Sequence, residues 1–172
     1  MEVMVLAVMM FGAALQTTQS AEVKHAVQTH EQNVVMSALE KFKVLNGVPM
    51  ADADYYIYLY TATWCGYCHQ CMPIAVEQYE NMREAKVEII IVSGDTSEDE
   101  ALKYLGSYNF TAPCIMFDAL RVTNFQGLPS CGMPGFPGVT VVDKNGRMRG
   151  NVIGAGQVKD VLQNWRQYTV GK

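Results

Sequence analysis

Cys65-Gly66-Tyr67-Cys68 places two thiols with two residues between them, directly after a β-branched and aromatic run, 55–64, and directly before a helical pattern. That spacing lets two sulfurs lie on one helical turn, close enough to form a disulfide and release it again. It also puts the first cysteine at a helix N-terminus, where unpaired N–H groups and the dipole favour a thiolate over a thiol. The same spacing is half of a zinc site, but a strand before and a helix after favour redox chemistry.

The other candidate groups are weighed against that pair. Cys71 extends the series to Cys65-x2-Cys68-x2-Cys71, the start of an iron–sulfur pattern that needs a fourth cysteine three residues on. Met72 and Pro73 follow and no such cysteine does, so Cys71 reads as a buried thiol. Zinc would require Cys114 or Cys131 to converge on the first three, which the strand–helix setting opposes. A disulfide between Cys114 and Cys131 would close a moderate loop and stabilise it by about 3 kcal/mol. The alternatives are two unpaired thiols, or a relay with Cys65 and Cys68. His69 reads as a solvent-facing helical residue, with stabilisation of a thiolate as imidazolium the other option. His25 and His30 read as solvated.

The elements that must position these groups follow from pattern. Apolar residues recur at helical intervals from Glu22 to Leu45, which predicts an amphipathic helix ended by Asn46-Gly47-Val48-Pro49. Tyr55 to Thr61 is a strand. Tyr67 to Ala85 is helical in pattern, with Pro73 placed to kink it. Val87 to Val92 is almost uninterrupted apolar sequence, which suits a central parallel strand covered on both faces. Ser93-Gly-Asp-Thr-Ser97 is a turn with capping residues, and Glu98 to Tyr108 a helix with acids in its first turn. Residues 109–137, rich in proline and glycine, read as a long irregular connection. Gly138 to Asp143 is a strand, Lys144-Asn145-Gly146 a hairpin turn, Arg147 to Ile153 its antiparallel return and Gln157 to Tyr168 a closing helix.

The chain has 172 residues, of which 49% are hydrophobic and 17% charged, enough for one domain and an N-terminal extension. A net charge of −4 with no basic stripe excludes nucleic acid as the obvious partner. Three histidines without repeated Cys/His pairing argue against a metal-built fold. The 11 methionines read as core filling apart from those near the N-terminus. Val3 to Leu15 is an apolar run too short to span a bilayer, suited to a secretory signal over residues 1–20 with cleavage before Ala21, although no Lys or Arg precedes it. Export would suit disulfide chemistry. The expected layout is a signal-like segment at 1–20, an N-terminal helix at 21–50 and the main domain at 51–172.

The order of elements, with Trp64-Cys-Gly-Tyr-Cys68 ending the first strand, resembles the thioredoxin superfamily. Pro73 stands where the family's helix proline lies. Pro137 before Gly138-Val-Thr-Val-Val-Asp-Lys-Asn-Gly146 is similar to the cis-proline and strand of the exported TlpA-like branch. The Gly-Tyr dipeptide is similar to that of periplasmic disulfide isomerases. The resemblance implies a thioredoxin-like α/β fold, a central mixed β-sheet flanked by helices. It implies a thiol–disulfide oxidoreductase in which Cys65 is the exposed nucleophile and Cys68 resolves the mixed disulfide, with no cofactor or metal. Trp64, Gly66, Tyr67, Phe136 and Pro137 would bind substrate, a cis Phe136–Pro137 bond presenting backbone groups to an extended segment and keeping metals off the pair. Partners would be protein disulfides and a redox partner protein, with a membrane involved only through an uncleaved N-terminal segment. Reductase is the leading direction, periplasmic isomerase the alternative. A rival of another class is a copper-delivery protein using Cys65, Cys68 and His69 or Met133; a third reading is a structural domain with incidental cysteines. Three positions depart from the family. Leu59 stands where thioredoxins keep a buried aspartate, Gly138 follows the proline in place of threonine, and Cys71 is unusual.

Overall fold

A computed structural model describes residues 32–132 and 135–169. The signal-like segment, His25, His30 and Met133 lie outside the described residues.

The run from Tyr55 to Thr61 forms β1, and six of its seven residues are buried because both faces of the strand are covered. It is the middle strand of a five-stranded sheet ordered β3-β2-β1-β4-β5. β2 (Val87–Ser93) and β3 (Cys114–Met116) run parallel to it on one side. β4 (Gly138–Asp143) pairs with β1 antiparallel, and β5 (Met148–Ile153) pairs with β4 likewise. The 2-residue side-chain period of a strand sorts β1 between two cores. Ile57 and Leu59 point to one face, with α2 (Met72–Glu84), α3 (Glu98–Ser107) and α5 (Ala155–Gln163). Tyr56, Tyr58 and Tyr60 point to the other, with α1 (Val34–Leu39) and α4 (Phe117–Val122). A short α6 (Arg166–Thr169) follows.

Local chemistry sets the ends of these elements. The Asn33 side chain accepts the Met36 N–H at 2.9 Å and so caps α1, while its amide donates to the Tyr56 hydroxyl at 2.7 Å. Ser97 caps α3 through the Glu100 N–H at 3.3 Å, and Glu98, Asp99 and Glu100 fill the positively polarised first turn. In the β4–β5 hairpin the Asp143 carboxylate accepts the N–H groups of Asn145 and Arg147, each at 3.0 Å, and Gly146 takes φ 78°.

Four expectations change. Within the described part of the predicted 22–45 helix, only Val34–Leu39 is helical; Lys41 and Phe42 tighten into a turn, and the chain then runs without helix to Leu45. The 67–85 helix is a 3-10 turn at Cys68–Gln70 followed by α2, and Pro73 sits in the first turn of α2, where its missing N–H costs nothing. The 109–137 connection contains β3 and α4, elements of three and six residues that are too short to show a period. The closing helix divides into α5 and α6 around Asn164 and the buried Trp165.

Candidate functional site

The parallel strands β1 and β2 end side by side, and the Cys65–Cys68 pair follows the carboxyl end of β1, where open α/β sheets place their ligands. Cys65 and Cys68 are joined by a disulfide, with their Cα atoms 5.2 Å apart. Cys65 precedes the 3-10 turn, so the helix start predicted for it belongs to Cys68. The backbone still points one donor at the first sulfur: the Cys68 N–H lies 3.2 Å from Cys65 Sγ, shared with the Cys65 carbonyl at 2.9 Å. The expected exposed nucleophile is only relatively so, since Cys65 is 6% exposed and Cys68 1%.

The surroundings are aromatic. Trp64 and Tyr67, 62% and 67% exposed, flank the pair, and the Trp64 indole donates to the Gly94 carbonyl at 3.0 Å. Phe136 packs on Ala62, Cys65 and Cys68, edge-on to Trp64 at 5.4 Å and to Phe117 at 5.5 Å. The Phe136–Pro137 bond is cis. The Pro137 carbonyl accepts the Gly154 N–H at 2.9 Å, so that acceptor is already used within the fold. A Cβ built on Gly66 would meet nothing within 4 Å, leaving the space above the loop open to a ligand. An adjoining cavity of about 340 Å³ is lined by Gly94, Asp95, Thr96, Phe117, Asp118, Arg121 and Phe136.

Two side chains grip the loop, and the sequence pointed to neither role. Asp95, 4% exposed, accepts the Thr63 N–H at 2.8 Å, the Thr63 hydroxyl at 2.5 Å and the Ser93 hydroxyl at 2.9 Å. Local pattern marks it only as part of a turn; an acid just past a buried strand, level with the cysteine motif, is the available signal. His69, expected to be simply solvated, has both ring nitrogens bonded: Nε2 to the Thr63 carbonyl at 2.8 Å and Nδ1 to the Tyr108 hydroxyl at 2.9 Å.

The remaining cysteines stay apart from the pair and from each other. Of the alternatives open for Cys114 and Cys131, the structure shows two unpaired thiols, because they lie in opposite cores with the sheet between them. Cys114 is fully buried in β3, and burial pushes its thiol up to about 12, aided by the negative field of Asp95. Cys131 shares a 2.9 Å hydrogen bond with the Tyr60 hydroxyl, and burial pushes it up to about 11. Cys71 is a buried thiol, as its position suggested, raised above its ordinary pKa by burial, and directed at the Tyr67 and Ala155 carbonyls at 3.6 and 3.8 Å. Among the described residues no group of three or more His, Cys, Asp or Glu is placed to hold a metal.

Comparison with known proteins adds to this geometry. A thioredoxin-like family model matches residues 52–148. The thiol-disulfide oxidoreductase ResA of Bacillus cereus is 30% identical over 105 residues, covering 61% of this chain and 57% of the relative. The chain therefore spans little more than half of that protein's length. Among solved structures, tryparedoxin from Trypanosoma brucei superposes with a TM-score of 0.54 at 19% identity, over 74% of this chain and 92% of that one. A thiol:disulfide interchange protein from Bacteroides sp. gives 0.53 at 16% identity, over 76% and 88%. At those identities the two structures speak for the fold alone.

Proposed function

The chain belongs to the thioredoxin-like family, and from that membership and the geometry of its cysteine pair we propose that it is a thiol–disulfide oxidoreductase acting on protein disulfides, chiefly as a reductase. The observation that carries the reading is the Cys65–Cys68 disulfide at the carboxyl end of β1, with the Cys68 N–H directed at Cys65 Sγ. That donor stabilises negative charge on the first sulfur and so favours it as both nucleophile and leaving group.

In the reduced protein the Cys65 thiolate attacks a substrate disulfide, forming a mixed disulfide and expelling one substrate thiolate. Cys68 then attacks Cys65 Sγ, closes the intramolecular disulfide and releases the second substrate thiolate. Two electrons pass from the cysteine pair to the substrate, and an external dithiol protein restores the pair. Trp64, Tyr67 and Phe136 supply an apolar surface for the polypeptide that carries the disulfide. Reductase is preferred to isomerase because the strand and turn at 138–146 resemble those of the TlpA-like branch. The apolar run Val3–Leu15 supports an exported setting for this work.

The test is a titration of the full chain in glutathione buffers with thiol trapping, for wild type and Cys65→Ser. A reversible two-electron couple is expected, absent in the variant, with a potential near the thioredoxin value of about −270 mV. A potential near about −180 mV would instead indicate an isomerase. Absence of any couple in wild type would sink the reading.

A further inference from the structure

We propose that His69 is a positioning residue for the Cys65–Cys68 exchange, its imidazole stapling the segment that enters the cysteine loop to the segment that leaves it. The inference rests on the pair being a redox centre, and it names a residue that holds the two sulfurs within reach when the disulfide is open.

The hydrogen bonds define the staple. Thr63 stands two residues before Cys65, and His69 directly follows Cys68. A carbonyl oxygen only accepts, so the 2.8 Å contact to Thr63 O puts a proton on Nε2. In the neutral ring Nδ1 then accepts the Tyr108 hydroxyl proton at 2.9 Å. The ring stands edge-on to Tyr104 at 5.0 Å, which fixes its plane. Solvation alone does not account for an exposed histidine with both nitrogens engaged and an aromatic ring packed against it. Thr63 is gripped from its other side as well, since Asp95 accepts both its N–H and its hydroxyl. The entry to the loop is thus fixed between β2, through Asp95, and the end of α3, through His69 and Tyr108.

The staple matters most when the covalent link is gone. With the disulfide formed, the backbone ties across the loop are the Cys68 N–H to Cys65 carbonyl bond at 2.9 Å and a long His69 N–H contact to the same carbonyl at 3.4 Å, and once it opens, ties of this kind must hold the loop without it. His69 adds the side-chain tie. In the resolving step the Cys65–substrate S–S bond breaks, the Cys65–Cys68 S–S bond forms, and the substrate sulfur leaves as a thiolate that takes up a proton. The rate and equilibrium of that step both depend on how often Cys68 lies in line with Cys65, which is an effective concentration. Loosening the entry to the loop lowers it.

The experiment measures two quantities on the full chain. One is the equilibrium with glutathione. The other is the lifetime of a mixed disulfide between Cys65 and a cysteine-containing peptide. His69→Ala is expected to make the intramolecular disulfide about fivefold less favoured, a potential about 20 mV more oxidising, and to lengthen the mixed-disulfide lifetime about fivefold. His69→Gln, whose amide N–H can still reach the Thr63 carbonyl, is expected to recover most of both. A fall in thermal stability with potential and lifetime unchanged, or a glutamine variant no better than alanine, would overturn the staple. A wild type with no reversible couple would instead remove the redox reading on which it stands.

Discussion

Gly94 is the position where the smallest change should disturb the site most. It lies just past β2, its carbonyl accepts the Trp64 indole N–H, and the Phe136 ring rests against it. A Cβ there would stand 2.6 Å from Phe136 Cε1 and 3.1 Å from Cε2, and closer still to Cζ. Real contacts do not approach so closely, so the ring must move. It cannot move alone, because Phe136 is edge-on to Trp64 at 5.4 Å and to Phe117 at 5.5 Å, and packs on Ala62, Cys65 and Cys68. Overpacking of this kind costs about 1–3 kcal/mol, and weakening two edge-to-face pairs adds a fraction of about 0.5–1.5 kcal/mol each. Gly94→Ala should therefore lose about 2–3 kcal/mol. In a domain of this size that is a fall in Tm of roughly 8–12 °C. A displaced Phe136 also shifts the wall over the sulfurs, so reduction of a peptide disulfide should slow about fivefold, equivalent to about 1 kcal/mol of lost transition-state stabilisation. The control is the double variant with Phe136→Leu, which frees space opposite the new methyl. Thermal unfolding of all four proteins should give a favourable coupling of about 1–2 kcal/mol. If Gly94→Ala costs less than about 0.5 kcal/mol and shows no coupling to Phe136, the reasoning is refuted.

Two further outcomes follow from burial. In the oxidised native protein at pH 8, maleimide should modify none of the five cysteines within minutes, and a non-reducing peptide map should contain one link, Cys65–Cys68; a linked Cys114–Cys131 peptide would contradict the two-core arrangement. Glu88 is fully buried, accepting the Tyr79 hydroxyl at 2.8 Å and the Met50 N–H at 2.8 Å, and burial holds its carboxyl above the usual carboxylate range. The folded state then binds the proton more tightly than the unfolded one, so this group's contribution is full below about pH 4 and is lost as pH rises through the raised value. Glu88→Gln should remove that slope and lower stability by about 1–3 kcal/mol, because in either orientation its NH2 faces a backbone N–H, that of Met50 or that of Ile89; denaturant titrations from pH 4 upward, showing an unchanged slope, would refute the assignment.

What the sequence made legible was whatever depends on a long period or a strong local code. β1 and the β4–β5 hairpin came from seven-residue and six-residue runs flanked by turn chemistry, and the structure keeps their bounds almost unchanged. β3 and α4 were hidden because three and six residues cannot display a period, and because their helix cap is Met116, which has no side-chain oxygen to advertise it. The cysteine pair was legible by spacing. Its supports were not, because Asp95 and His69 act through Thr63, and a contact between residues 63 and 95 leaves no mark in either local pattern. Whether Cys114 and Cys131 pair stayed open in the sequence for a related reason: loop length says how costly closure is, but not on which face of a sheet each thiol lands.

Leu59 bears on how the proposed cycle handles its proton. Its side chain is fully buried in register with Ile91 and Val139, so hydrocarbon occupies the place where thioredoxins keep a carboxylate. The buried carboxylates among the described residues are Glu88, Asp95 and Asp143. Each is already committed: Glu88 to Tyr79 and Met50, Asp143 to the hairpin N–H groups, and Asp95 to Thr63 and Ser93. Asp95 spends its acceptor oxygens on Thr63 and Ser93, so anchoring the entry to the loop is the role its hydrogen bonds supply. In the proposed cycle anchoring and proton acceptance are therefore assigned to different groups. Asp95 and His69 hold the backbone, and the departing substrate thiolate is the base at hand for the proton that Cys68 gives up. A separation of this kind makes the rate of resolution depend on the substrate's thiol and on the precision of the loop, and much less on a titrating group beneath it.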